Sequence, residues 1–138
     1  ASALQIEITE DVLRMDRIRA RAALTALRET GVTIAVDDFG TGYSSLAYLR
    51  DLPIDELKLD RTFVSPMTGD ALATALVSST IDLAHSLGLR MVAEGVEDAS
   101  AYDELARLGC DQAQGFFMSR PQPAEDLDLA LLDGLAPL

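Results

Sequence analysis

The sequence predicts an α/β fold of about five βα units, wound as a β/α barrel. Two observations predict it. Strand-like and helix-like apolar periods alternate along the 138 residues, and each strand finishes on polar groups at the same end. The alternation calls for a parallel sheet with helical crossovers. Such a sheet can stay open and doubly wound, or it can close. An open sheet would bind its ligand through a glycine-rich first turn. Neither GxGxxG nor GxxxxGK[ST] occurs, and the polar strand ends favour the barrel.

Residues 3–9, ALQIEIT, alternate apolar and polar and read as a strand. Residues 11–30 set Val12, Leu13, Ala23, Leu24 and Leu27 at helical spacing, and Gly31 stops that helix. The β-branched run 32–37, VTIAVD, suits a buried parallel strand. DFGTG is a turn, and residues 44–52 are a short helix closed by Pro53. A strand follows at 54–60, a helix at 70–87 ending at Gly88, a strand at 89–94, and a helix at 100–108 ending at Gly109. A short strand covers 111–117, and a last helix begins near Pro123, carrying Leu127, Leu131 and Leu132. Phe39, Phe63, Phe116 and Cys110 read as core. Phe117 and Tyr43 suit either the core or a stacked base. His85 reads as a surface or packing residue with no chemical role.

The net charge of −12 disfavours DNA or RNA as a partner, since these want a basic face. It equally disfavours a phosphate ligand unless cations stand between ligand and protein. The 49% hydrophobic content supports a sizeable core. The apolar runs fall short of the roughly 18 residues a membrane span needs, and the first ten residues lack a basic signal region. One cysteine excludes an internal disulfide and fits a reducing, cytoplasmic setting.

The strand ends carry Glu7 and Glu10, then Asp37 and Asp38, then Lys58 and Asp60, then Glu94 with Glu97, then Gln112 and Gln114. In a β/α barrel these ends converge on one face, where the active site is built. Crowded carboxylates are costly without a partner. A divalent cation removes the cost, and all-oxygen ligation suits Mg²⁺ or Mn²⁺. The adjacent acids Asp37 and Asp38 could address two metals, or one metal and its water, around a scissile phosphate. Lys58 lies between Leu57 and Leu59, so its ammonium points away from theirs and into the barrel. There it could orient a water or stabilise charge on the phosphate. Singly, each has a plainer reading: turn chemistry for Asp37-Asp38, a structural ion pair for Lys58, acidic first-turn residues for the Glu94–Glu97 stretch. Recurrence at the same end of five strands outweighs these.

EITE at 7–10, DDFGTGYSSL at 37–46, LKLDRTFV at 57–64, AEGVE at 93–97 and QGFFMSRP at 114–121 resemble, in order and spacing, successive signatures of EAL domains. The resemblance covers essentially the whole chain. It implies a modified TIM-type β/α barrel that hydrolyses cyclic di-GMP to linear pGpG with Mg²⁺ or Mn²⁺, in bacterial second-messenger signalling. It implies that Glu7, Asp37 and Asp38 ligate metal, that Lys58 positions the water, and that Glu94 stands at the metal–water cluster. Glu97 and Gln114 would support metal and substrate, and Glu10 would anchor the DDFGTG loop. A homodimer through residues 44–52 is a further implication. The Glu-Ala-Leu motif and the downstream asparagine ligand do not appear. The chain is therefore expected to be the C-terminal part of such a barrel, 1–138 forming one partial domain, inactive or weak by itself. Its parent could be membrane-anchored. The competing reading is a non-catalytic cyclic-di-GMP sensor or protein-interaction module; an enolase-type barrel enzyme is a remote third.

Overall fold

The computed structural model describes residues 3–12, 16–40 and 46–126. Its elements are β1 (Gln5–Thr9), α1 (Arg17–Glu29), β2 (Thr33–Phe39), α2 (Leu46–Asp51), β3 (Glu56–Leu59), α3 (Arg61–Val64), a 3₁₀ turn (Ser65–Met67), α4 (Ala71–Ser86), β4 (Arg90–Glu94), α5 (Ala99–Arg107), β5 (Gln112–Gln114) and a second 3₁₀ turn (Ala124–Asp126).

One local device starts four of these helices. The carboxylates of Asp16, Asp60, Asp70 and Asp98 accept backbone N–H groups of Arg19, Thr62, Leu72 and Ala101. Each thus satisfies a donor that the first helical turn leaves unpaired. This corrects two expectations. The helix expected over 11–30 is not continuous: Asp16 has an extended backbone and caps a helix that begins at Arg17. The short helix α3, absent from the sequence reading, follows directly from the cap at Asp60.

All strands are parallel, in the order β1-β2-β3-β4-β5. Each new strand adds beside the last, as in the wall of a β/α barrel; a doubly wound sheet reverses its order. Ile34, Val36, Leu57, Leu59, Met91 and Ala93 point to one face, where they join Leu24, Val64, Val77, Ile81 and Leu105 of the helices in the core. The opposite face carries Gln5 and Glu7, Ala35 and Asp37, Glu56 and Lys58, and Arg90 and Glu94, as strand alternation requires.

A repeated latch ties the lower strand ends. The Asp55 carboxylate accepts the Ile34 N–H at 2.9 Å and pairs with Arg28. That of Asp111 accepts the Met91 N–H at 2.7 Å and pairs with His85. His85 therefore has a defined partner.

Cys110 is buried as expected, and burial pushes its thiol up to about 11. Phe39 is core and Phe63 packs against it. Phe116 departs from expectation at 52% exposed. The fifth strand stops at Gln114 because the chain turns at Gly115, where the Phe117 N–H reaches the Val96 carbonyl. Phe116 then faces outward beneath the Arg120 guanidinium, and Phe117 leans on Tyr102. Tyr43, residues 44–45 and the helix expected through Leu127, Leu131 and Leu132 lie outside the described residues. No helix among the described residues is long and apolar enough to cross a membrane.

Candidate metal centre

Lys58 occupies the middle of the polar face. Its side chain is 5% exposed, and Nζ lies 2.7 Å from both Glu7 Oε1 and Glu94 Oε1. Burial works against the ammonium, but the hydrogen bonds to Glu7 and Glu94 outweigh it and push its pKa up to about 12. A group held that far above neutrality stays protonated, so it can donate hydrogen bonds but cannot serve as a base.

Asp37 and Asp38 reach the same rim through an irregularity in β2. Successive strand residues normally point to opposite faces, which would send Asp38 into the helix layer. The register instead shifts between Val36 and Phe39, so that two β2 residues stand against one of β3. Such a bulge re-aims a side chain. Asp38 sits in the left-handed region at φ 54°, which aspartate tolerates better than most residues. Its N–H donates to the Asp37 carboxylate at 2.8 Å.

Asp37, Asp38 and Glu94 each offer a carboxylate oxygen within 4.8 Å of the others. The crowding shows at the carboxyls of Asp38 and Glu94. The charge on Asp37, then burial, then neighbouring Asp60 raise the Asp38 carboxyl above its usual range. Burial raises that of Glu94 despite Lys58. Asp60 goes the other way, lowered chiefly by its bonds to Thr62, and it shares a hydrogen bond with Asp38. Three convergent hard-oxygen donors under mutual repulsion fit a divalent cation of the Mg²⁺ or Mn²⁺ kind.

The other predicted residues lie outside this group of three. Glu7 lies outside the three-carboxylate group and is engaged by Lys58. Gln114 is the register partner of Glu94 but is exposed, as is Glu97 just beyond the strand. Glu10 is 5% exposed, and neither carboxylate oxygen has a hydrogen-bond partner among the described residues; most of the loop it was expected to anchor, 41–45, lies outside them. Asp60 appeared in sequence only as a strand end, and its tie to Asp38 went unread.

Two glycines let the rim loops close on one another. A Cβ on Gly95 would stand 2.3 Å from that of Arg61, and one on Gly115 would stand 2.2 Å from the Val96 carbonyl oxygen. The first brings the β4 loop onto α3; the second brings the β5 loop onto the β4 loop.

Comparison with known proteins finds close relatives of this fold. The family model described as EAL domain matches residues 1–121. The chain is 46% identical over 126 residues to MucR of Pseudomonas aeruginosa, a bifunctional diguanylate cyclase/cyclic di-GMP phosphodiesterase, covering 91% of this chain and 18% of MucR. The solved EAL domain of Mycobacterium smegmatis DcpA matches with a TM-score of 0.89 at 43% identity, over 99% of this chain and 61% of that one. A manganese/cy-diGMP complex of Klebsiella pneumoniae BlrP1 matches with a TM-score of 0.79 at 36% identity, over 87% of this chain and 31% of that one. The chain thus spans less than a fifth of MucR's length and about three-fifths of the DcpA domain.

Proposed function

The chain belongs to the EAL domain family, and from that premise we propose that an EAL domain containing it hydrolyses cyclic di-GMP to linear pGpG. The observation that carries the proposal is the convergence of Asp37, Asp38 and Glu94 beside the buried Lys58. Asp37, Asp38 and Glu94 would hold Mg²⁺ or Mn²⁺, with Glu7 on the other side of Lys58. An ion held there would lower the pKa of a water and offset phosphoryl charge. The chain's own contribution is separate. Lys58, protonated at neutral pH, donates to the attacking water or to the phosphate oxygens as negative charge builds. Glu7 and Glu94 fix where the ammonium points. Glu97 and Gln114 would act as supporting groups for metal and substrate, and Glu10 would anchor the loop after β2.

Asp37→Asn in such a domain tests the proposal, with pGpG read by chromatography. Turnover should fall more than about 100-fold, in the range of lost electrostatic catalysis. Turnover near wild type would overturn the assignment. Binding of the dinucleotide without any pGpG from the unmutated domain would favour a sensor instead. The 138-residue chain alone should turn over weakly or not at all.

The face formed by α1 and α2 suits a homodimer. A groove of about 620 Å³ there includes Ile18, Ala22, Ala26 and Tyr48. Ile18 is 84% exposed. Arg17 and Arg21 stand toward one end of α1 and Glu29 at the other, so an antiparallel second copy would bring opposite charges together. The region expected from sequence, 44–52, contributes α2 to this face. A cytoplasmic setting fits the buried, unpaired Cys110 thiol.

A further inference from the structure

Glu7 and Lys58 meet although their strands are not neighbours, since β2 runs between β1 and β3. The register sets Glu7 opposite Ala35 and Ala35 opposite Glu56. Adjacent strands lie about 4.8 Å apart, so β1 and β3 are separated by roughly 10 Å at this level. Any pair that spans the gap must pass over the β2 side chain between them. Two pairs do so. Lys58 Nζ donates to Glu7 Oε1 at 2.7 Å, and one layer deeper Gln5 Nε2 donates to Glu56 Oε1 at 2.9 Å. Glu56 is 2% exposed, and its other oxygen takes Arg90 at 3.2 Å. Between the two crossings, level with Glu7 and Glu56 on this face of β2, lies Ala35, fully buried, with a single methyl for a side chain.

We propose that Ala35 is a positioning residue: its small side chain leaves open the passage over β2 through which Glu7 holds Lys58, and the Gln5–Glu56–Arg90 brace, centred on buried Glu56, keeps β1 and β3 at the spacing that passage needs. A valine at 35 would set two methyl groups in the path of the Glu7–Lys58 pair. The Glu94–Lys58 pair would not feel them, because β3 and β4 are direct neighbours and that contact never crosses β2. The inference concerns the site of the proposed reaction, yet its test reads a distance and not turnover, so either can fail without the other.

Lys58 is the only lysine in the sequence, which makes a zero-length carbodiimide cross-link an unambiguous probe. Mass spectrometry of the protein should find Lys58 amide-linked to Glu7 and to Glu94. In Ala35→Val the Glu7 product should fall several-fold relative to the Glu94 product, while Ala35→Gly leaves the ratio unchanged. Glu56→Gln, which weakens the brace, should also lower the Glu7 product selectively. An unchanged ratio in an Ala35→Val protein with native circular dichroism would overturn the proposal. Should valine prevent folding, Ala35→Ser decides: a smaller selective fall supports the passage, and a wild-type ratio refutes it.

Discussion

Replacing Lys58 by methionine removes the one positive charge that joins Glu7 to Glu94 while keeping most of the buried side-chain volume. The ammonium is displaced from an ordinary pKa of 10.5 to about 12. Each pH unit of displacement corresponds to about 1.4 kcal/mol, so the fold and the charged amine stabilise one another by about 2 kcal/mol. Glu7 is 45% exposed, which places its share toward the weak end through solvent screening. Glu94, at 21% exposed, carries more of it. In the metal-free protein, urea unfolding at pH 7 should therefore show Lys58→Met less stable by about 2 kcal/mol, with an unchanged m-value. The pH dependence has a definite sign. A raised folded-state pKa means the stabilisation is complete below pH 10.5 and disappears as pH rises through about 12. The difference between the proteins should thus be flat from pH 6 to 9 and close above that window. Mn²⁺ should narrow it at pH 7, because the acidic cluster binds a cation more tightly once the competing ammonium is gone. A Lys58→Met protein as stable as wild type in chelator at pH 7 would refute the view that this pair is net stabilising.

Gly95→Ala should cost about 2–5 kcal/mol, combining a left-handed backbone at φ 71° with a Cβ driven into Arg61. Gly109→Ala has the same backbone sign, φ 82°, but nothing within 4 Å, so thermal denaturation should show a loss of only about 1–2 kcal/mol. Asp38→Asn removes a carboxyl whose pKa is raised in the fold chiefly by Asp37. Such a group lowers stability as pH rises above 3.8, so the metal-free variant should be the more stable protein at pH 7, and titration calorimetry should show its Mn²⁺ affinity reduced. Ile18→Glu puts a charge on the α1–α2 face, and sedimentation should show a dimer become monomeric; a variant that sediments like wild type would exclude that face as the interface.

The alternation of periods was enough to place all five strands, because a parallel sheet imposes apolar runs of its own length and the helices between them a different period. The polar strand ends were legible for the same reason: Lys58 between two leucines has only one face to occupy. What escaped depended on contacts between segments. The bulge at Asp37–Asp38 is defined by the count of residues on β3 opposite, which no local pattern records. Phe116 was misplaced because the strand was read through residue 117, whereas Gly115 and the Val96 carbonyl end it at Gln114. The cap at Asp60 did carry a local signal, an aspartate followed by Arg-Thr at the end of a strand, which a search for helix starts at every such residue would have found.

The bulge in β2 also bears on how this region can vary. Since Asp37 and Asp38 share a rim only through one extra residue against β3, removing either of them would restore regular alternation along the strand. Val36 and Phe39 would still stand against Leu57 and Leu59 on the apolar side, and a single aspartate would remain on the rim. Losing a position at this spot therefore has the same outcome as substituting one acid: a single carboxylate goes, and the apolar layer keeps its place in the sheet.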